Sequence, residues 1–188
     1  MSAGHGGHAD HGEHGNPMNK KIALLIAVLA LVLAFSETLG KSAQTAALSL
    51  NIEASNLWAF FQAKTIRQTV VRTAAEQAAI SPSTKDSPKQ IETWKKTAER
   101  YQSEPETNEG RKELAERAKA AEAKRDRSLA AYHHYEVASA AVQIAIVLAS
   151  AAIITGAIAL VWVGIGLGLV GVVFCGIGFF APTAVHLF

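Results

Sequence analysis

Four histidines near the N-terminus have the type and spacing that suit metal chemistry. His5, His8, His11 and His14 recur every three residues in MSAGHGGHADHGEHGN. Neutral imidazoles are good ligands for zinc, copper or nickel, and a flexible tail can wrap several of them around one ion. The competing interpretation is a polar tail that binds such ions only weakly, because nothing preorganises the site. We favour the weak tail and keep the metal site as a hypothesis.

The rest of the sequence offers no catalytic constellation. It contains no P-loop, nucleophile elbow, HExxH motif or cysteine pair. The spelling Gly166-x-Gly168-x-x-Gly171 matches the dinucleotide fingerprint, but no strand precedes it and no acidic residue follows it. The lone Cys175 excludes an intrachain disulfide, and a net charge of +2 gives no sign of a nucleic-acid binder. We therefore expect a protein that is not an enzyme and does not bind nucleic acid.

The elements that carry these residues begin with a tail and a first membrane crossing. Residues 1–19 are Gly-rich and lack a sizeable apolar cluster, so they predict a flexible His-rich tail. Lys20 and Lys21 then precede an uninterrupted apolar run from Ile22 to Phe35. A helix over residues 20–41 rises about 30 Å and matches the bilayer core. A cleaved secretory signal is the competing interpretation, and the long hydrophilic stretch before the lysines argues against it.

A second apolar region lies near the C-terminus. Residues 137–180 contain no charged side chain. This uncharged segment is too long for one membrane crossing and has the length of two. We predict a second transmembrane helix over residues 137–156, a third over residues 157–181, and a short tail over residues 182–188. The polar residue Gln143 is expected to form an interhelical hydrogen bond.

Small residues form a stripe at helical spacing in each crossing. In the first crossing the stripe is Ala23, Ala27, Ala30 and Ala34. In the second it is Ala138, Ala141, Ala145, Ala149, Ala152 and Gly156, and in the third it is Gly164, Gly168, Gly171, Cys175 and Gly178. Helices in a bilayer associate through close backbone contact rather than through exclusion of water, so these stripes predict helix-packing faces.

The region between the crossings, residues 42–136, predicts a helical hairpin outside the bilayer. The spacing of threes and fours continues past Phe35 as far as Phe61, as in a coiled coil, and breakers follow Ile80. A short helix is expected from Pro88 to about Ser103. A second long helix from about Arg111 then returns to the membrane without a breaker.

The returning helix is poor in large apolar residues, which suggests that the hairpin is stabilised by other copies of the chain. We therefore predict a homo-oligomer. Its expected contact residues are Leu50, Leu57, Trp58 and Phe61. Basic residues near the membrane ends are more numerous on the hairpin side, which favours a cytoplasmic hairpin, although Lys20 and Lys21 support the opposite orientation.

Two stretches carry a resemblance to a known family. The run from Asn16 to Thr69 includes SETLGKSAQT and NLWAFFQAK, and YHHYEVASAAVQIAIVLAS follows from Tyr132 to Ser150. Both resemble a bacterial membrane-protein family known only as a domain of unknown function. The resemblance implies a bacterial inner-membrane protein with three crossings, and it implies no activity.

These observations predict an all-α membrane protein with three transmembrane helices and a long antiparallel helical hairpin on one side of the bilayer. The leading hypothesis for its function is a non-enzymatic, oligomeric scaffold or accessory subunit of the inner membrane, alone or within a larger membrane complex. A channel or transport-related assembly, lined by Gly-striped helices, is the alternative. Metal binding or delivery through the N-terminal tail is a third hypothesis.

Overall fold

A computed structural model describes residues 17–80 and 87–185, and the regular structure within these ranges is entirely α-helical. The helices are α1 (Pro17–Ile80), α2 (Ser87–Gln102), α3 (Arg111–Thr155) and α4 (Ile158–Phe180). The prediction of an all-α membrane protein is confirmed. The expected end of the first helix near Ile80 and the uninterrupted returning helix are also observed.

Among the described residues, three helices are long and apolar enough to cross a membrane, namely α1, α3 and α4. The 64 residues of α1 span about 96 Å, roughly three times the thickness of the bilayer core. A large part of α1 must therefore lie outside the hydrocarbon region. The same holds for α3, because 45 residues span about 68 Å.

A two-residue break separates α3 from α4. Gly156 adopts a φ of 69°, a left-handed conformation that glycine reaches without steric cost, and its amide donates to the carbonyl of Ala152 at 2.9 Å. Gly156 is also exposed, and a Cβ added to it would have no neighbour within 4 Å. It therefore ends the helix and turns the chain, and it does not belong to the packing face to which the sequence pattern assigned it.

The described residues form two compact units. The first unit contains residues 17–38 and 134–179, and the second contains residues 39–133 and 180–185. We call them the membrane unit and the arm.

The membrane unit has a core of large aliphatic residues from α1 against α3. Leu29, Val142 and Ala145 form a buried cluster, and residues of α1 and α4 such as Leu25, Val32 and Leu167 pack against it. The side of α1 that faces this core is therefore the one with bulky side chains.

The predicted small-residue stripe of α1 faces away from the core of the membrane unit. Ala23, Ala27, Ala30 and Ala34 are all exposed within the chain. The prediction that this stripe packs against the other crossings is wrong for a single chain. The physical reason is that the glycines of α4 already provide space, so α1 can present large residues such as Leu29 to them.

The arm has its own core. Ala54 and Leu57 of α1 are buried against Leu114, Ala118 and Ala121 of α3. On α2, Ala98 is buried, and Ile91 and Trp94 are half-buried on the same side, as their spacing predicts.

Candidate functional site

The face between α3 and α4 is built on glycine. A Cβ added to Gly164 would lie 3.2 Å from the carbonyl oxygen of Ala145, and one added to Gly171 would lie 3.1 Å from that of Ala138. At Gly178, the Cβ of His134 would lie at 3.1 Å. Because these contacts are made to backbone and inner side-chain atoms, the two helices approach as closely as they do only where α4 has no side chain.

The alanine stripe of α3 lies on the side of that helix that packs against α4. Ala138, Ala141, Ala145, Ala149 and Ala152 are all buried. On α4, Gly164, Gly168, Gly171 and Gly178 are buried, whereas Cys175 is half-buried. The structure thus brings together nine of the eleven residues that the small-residue spacing singled out, Gly156 and Cys175 being the others.

A polar contact between Gln143 and Glu37 joins two helices of the membrane unit. The side-chain amide of Gln143 donates to the carboxylate of Glu37 at 3.2 Å, joining α3 to α1. The expected interhelical hydrogen bond of Gln143 is therefore present. Its acceptor, Glu37, lies two residues beyond the apolar run that ends at Phe35. This contact satisfies a polar group that would be costly to leave unpaired near the bilayer.

The residues predicted to contact a second subunit lie mainly inside the arm of one chain. Leu57 is buried, Trp58 and Phe61 pack against its cluster, and Leu50 is half-buried. The indole of Trp58 also donates to the carboxylate of Glu122 on α3 at 2.8 Å. Within one chain these residues therefore have partners of their own, and their contact with a second subunit stays a prediction. The small Ala118 and Ala121 of the returning helix leave room for their large side chains.

A buried lysine of α1 lies beside the loop that joins α2 to α3. Lys64 of α1 is only 6% exposed, and its ammonium lies 3.5 Å from the carboxylate of Glu104 and 3.8 Å from that of Glu109. The rings of Phe60 and Tyr101 each lie 5.4 Å from the same nitrogen, within the range of cation–π attraction. Sequence reasoning missed this residue. The signal was present, because Lys64 continues the packing spacing of Leu57 and Phe61.

Replacing Lys64 with alanine should loosen the loop that holds its two carboxylate partners. We expect a loss of about 2 kcal/mol, because the substitution removes a packed aliphatic stem, takes the lysine away from Glu109 and leaves Glu104 with Arg100 alone. Amide hydrogen exchange of residues 103–110 in the full-length protein should then be roughly 30-fold faster. Arg67→Ala, at an exposed position one turn away, should leave these rates unchanged, and equal rates in both variants would contradict the assignment.

The loop that precedes α3 is held to the helix by the side chain of Glu113. The carboxylate of Glu113, in the first turn, accepts a hydrogen bond from the hydroxyl of Ser103 at 2.5 Å and one from the amide of Glu104 at 3.2 Å. A side chain at Gly110 would collide with all three of these residues. The loop therefore folds back onto the first turn of α3.

The hydrogen bonds that Glu113 accepts make the loop sensitive to acid. The hydrogen bond from Ser103 is the main reason that the pKa of Glu113 is held below its ordinary value. A depressed carboxyl pKa stabilises the fold above the unfolded value, about 4.3, and the contribution is lost as the pH falls through the folded value. We expect the protection of residues 103–110 from amide exchange, relative to an unstructured peptide at the same pH, to fall as the pH drops below about 4.3, and Glu113→Gln to abolish most of that pH dependence. A pH profile identical to that of the wild type would contradict this role.

The arm portion of α1 has a second apolar face, opposite the packed one. Leu48, Ile52, Ile66 and Val70 are 61%, 61%, 64% and 62% exposed. Together with the exposed Ala59 they follow a spacing of four and seven residues, so they share one side of the helix. We call this set of five residues the outer face. It spans 23 residues, or about 34 Å.

The outer face carries no charge. Lys41, one heptad before Leu48, lies on the same side of α1 and bounds the outer face. Between residues 42 and 77, the charged residues of α1 are Glu53, Lys64, Arg67, Arg72 and Glu76. At 100° per residue, each lies at least about 80° away from the centre of the outer face. On the same side of the helix, Ser55, Gln62 and Thr69 lie between its apolar members, and all three are exposed and neutral. A long, exposed, charge-free apolar stripe is typical of a surface that binds another helix.

No group of three or more His, Cys, Asp or Glu side chains is arranged to hold a metal ion within residues 17–80 and 87–185. His134, the buried member of the pair His133–His134, packs against the ring of Phe174 at 6.0 Å between ring centres. His5, His8, His11 and His14 lie outside the described residues. Zinc, copper or nickel binding by the tail therefore stays a prediction.

Comparison with known families adds one finding. The model of a family described as "Domain of unknown function (DUF4337)" matches residues 18–181. The chain belongs to this family. The DUF4337 match covers the three apolar helices and the arm, and it leaves the four tail histidines outside. No curated protein and no solved structure matches the chain.

Proposed function

We propose that this DUF4337 protein is a non-enzymatic scaffold of the bacterial inner membrane that assembles into homo-oligomers through the outer face of α1. The observation that carries the proposal is that the arm portion of α1 is apolar on two opposite sides of the helix. One side is covered by α2 and α3, and the other, the outer face, is exposed in the chain.

Confinement to a bilayer favours pairing of the outer face with its own copy. Chains inserted with the same orientation are parallel and hold the face at the same height. In a parallel pair of identical helices each residue faces its own equivalent, so any charge on the face would meet a like charge. The absence of charge on the outer face is therefore what self-pairing requires.

The residue types of the outer face also suit a two-stranded contact. In heptad terms, Ile52, Ala59 and Ile66 occupy a positions, and Leu48 occupies a d position together with Ser55 and Gln62. Branched residues at a with leucine at d favour parallel dimers, whereas polar residues at d weaken the contact. We infer a dimer of moderate stability that depends on membrane anchoring.

The alternative of a channel has less support. A channel lined by glycine-striped helices needs these stripes to be exposed on each chain, so that they can face a pore or a neighbouring subunit. In the structure the glycine face of α4 is occupied by α3 of the same chain. In the proposed scaffold the arm is cytoplasmic, and its exposed surface is also available to the other subunits of a larger membrane complex.

Counting subunits tests the proposal. The full-length protein is reconstituted into lipid nanodiscs and its oligomeric state is measured by native mass spectrometry over a range of protein-to-lipid ratios. We expect dimers at high ratios and reversible dissociation on dilution in lipid. Monomers at every ratio would overturn the scaffold proposal, and reproducible ion flux through sealed liposomes would favour the channel instead.

A further inference from the structure

We propose that the groove between the N-terminal ends of α1 and α4 is a binding site for an anionic phospholipid. The groove lies within the membrane unit and has a volume of about 420 Å³. Its lining includes Lys21, Ile22 and Leu25 of α1 and Ile158, Val161 and Ile165 of α4. This inference is independent of the pairing of the outer face.

The walls of the groove suit an acyl chain. Ile158, Val161 and Ile165 are spaced by three and four residues and form one side of α4, and Ile22 and Leu25 face them from the second and third turns of α1. Both helices belong to segments that are apolar enough to cross a membrane. The molecules that surround such segments are lipids, and a concave surface contacts a chain on two sides where a convex helix contacts it on one.

The charge at the groove selects the headgroup. Lys21 lines it and Lys20 precedes Lys21, whereas residues 17–36 and 137–180 contain no aspartate or glutamate. The two ammonium groups therefore have no acidic partner in the sequence of these segments. A phosphate-bearing headgroup with net negative charge complements them, and each basic residue near a membrane surface contributes about 1 kcal/mol of attraction to anionic lipid.

Apolar walls with cations at one end complement a molecule that has an apolar chain and an anionic headgroup. The occupant that satisfies both features is a phospholipid with its chain along Val161 and Ile165 and its headgroup phosphate at Lys21. A zwitterionic phospholipid would satisfy the walls equally well. It would gain less from the lysines, because its positive group offsets the attraction.

Native mass spectrometry of the full-length protein in mild detergent, titrated with phosphatidylglycerol or phosphatidylcholine, tests the site. We expect one phosphatidylglycerol to be retained in preference to phosphatidylcholine. The variant Lys20→Gln/Lys21→Gln should weaken phosphatidylglycerol binding roughly 30-fold, as the loss of two such attractions implies, and should leave phosphatidylcholine binding unchanged. Equal retention of the two lipids by the wild-type protein, or no effect of the lysine variant, would overturn the proposal.

A filling variant separates the groove from general surface charge. Val161→Trp adds bulk inside the groove, and Leu169→Trp adds the same bulk at an exposed position of α4. We expect the first to lower phosphatidylglycerol binding about tenfold and the second to leave it unchanged, while equal effects would overturn the assignment. A phosphatidylglycerol adduct that appears only after deletion of residues 1–16 would assign the groove to the chain's own tail and would also overturn it.

Discussion

Replacing Ile52 and Ile66 together with aspartate is expected to convert the membrane-anchored dimer into monomers. Each substitution removes an apolar residue that is more than 60% exposed in the chain and buried in the proposed pair. Each also places two like charges opposite one another in a contact that excludes water. The dissociation constant in nanodiscs should rise at least about 100-fold, equivalent to about 2.8 kcal/mol.

The matched control carries the same charges elsewhere on the arm. Gln90→Asp on α2 and Ala123→Asp on α3 change exposed residues away from the outer face. This double variant should dimerise like the wild type. The helical content of both variants, measured by circular dichroism, should be unchanged because none of the four residues is buried within the chain. Equal weakening by the two pairs would show that net charge, and not the outer face, governs association.

Replacing Gly171 with leucine is expected to separate α3 from α4. A Cβ at this position already meets the side chain of Val142, which is fully buried, and approaches the carbonyl oxygen of Ala138 to 3.1 Å. A leucine would have to push the two backbones apart along a face of buried alanines. We expect a destabilisation of about 3 kcal/mol, measured by reversible unfolding of the full-length protein in mixed detergent micelles.

Two other glycines of α4 provide the control. A Cβ added to Gly166 or Gly176 would meet nothing within 4 Å, although both residues lie on the same helix. Gly166→Leu and Gly176→Leu should leave the stability unchanged or raise it by up to about 1 kcal/mol, because leucine has the better helix propensity. A similar loss at all three positions would mean that glycine serves the helix in some way other than close packing.

The helices themselves were predictable from the sequence. The apolar runs, the Ser-Pro breakers after Ile80 and the strong helix formers after Arg111 give the order of the elements, because each is a local signal. The packing of α4 on α3 was also accessible, since alanine and glycine at helical spacing have few alternative roles in a bilayer.

The partners of each face were not predictable. Ala23, Ala27, Ala30 and Ala34 have the same spacing as the stripe of α3, yet they are exposed. Spacing shows which residues share a side of a helix and cannot show which side another helix covers. The choice depends on complementary volume: Leu29 fits against Gly168, a long-range match between two sequence patterns.

The same ambiguity affected the arm. Leu57, Trp58 and Phe61 are large apolar residues, and the returning helix has few such residues to pair with them, so the sequence pattern favoured a partner subunit. The alanines of α3 accept them within one chain. The outer face was overlooked because its members are separated by serine, glutamine and threonine, which weaken the pattern. Its signal was the recurrence of Leu48, Ile52, Ala59 and Ile66 at heptad spacing without an intervening charge on that side.

Disulfide formation between equivalent cysteines tests self-pairing of the outer face most directly. In a Cys175→Ala background, single cysteines are placed at residues 52, 59 and 66, and at the following residues 53, 60 and 67, and native membranes are oxidised. Equivalent residues at the centre of a parallel pair come close enough for a disulfide, with Cα atoms about 4.4–6.8 Å apart. The account predicts crosslinked dimers at 52, 59 and 66 and few at 53, 60 and 67. Uniformly weak crosslinking, or a maximum at the second set, would contradict it.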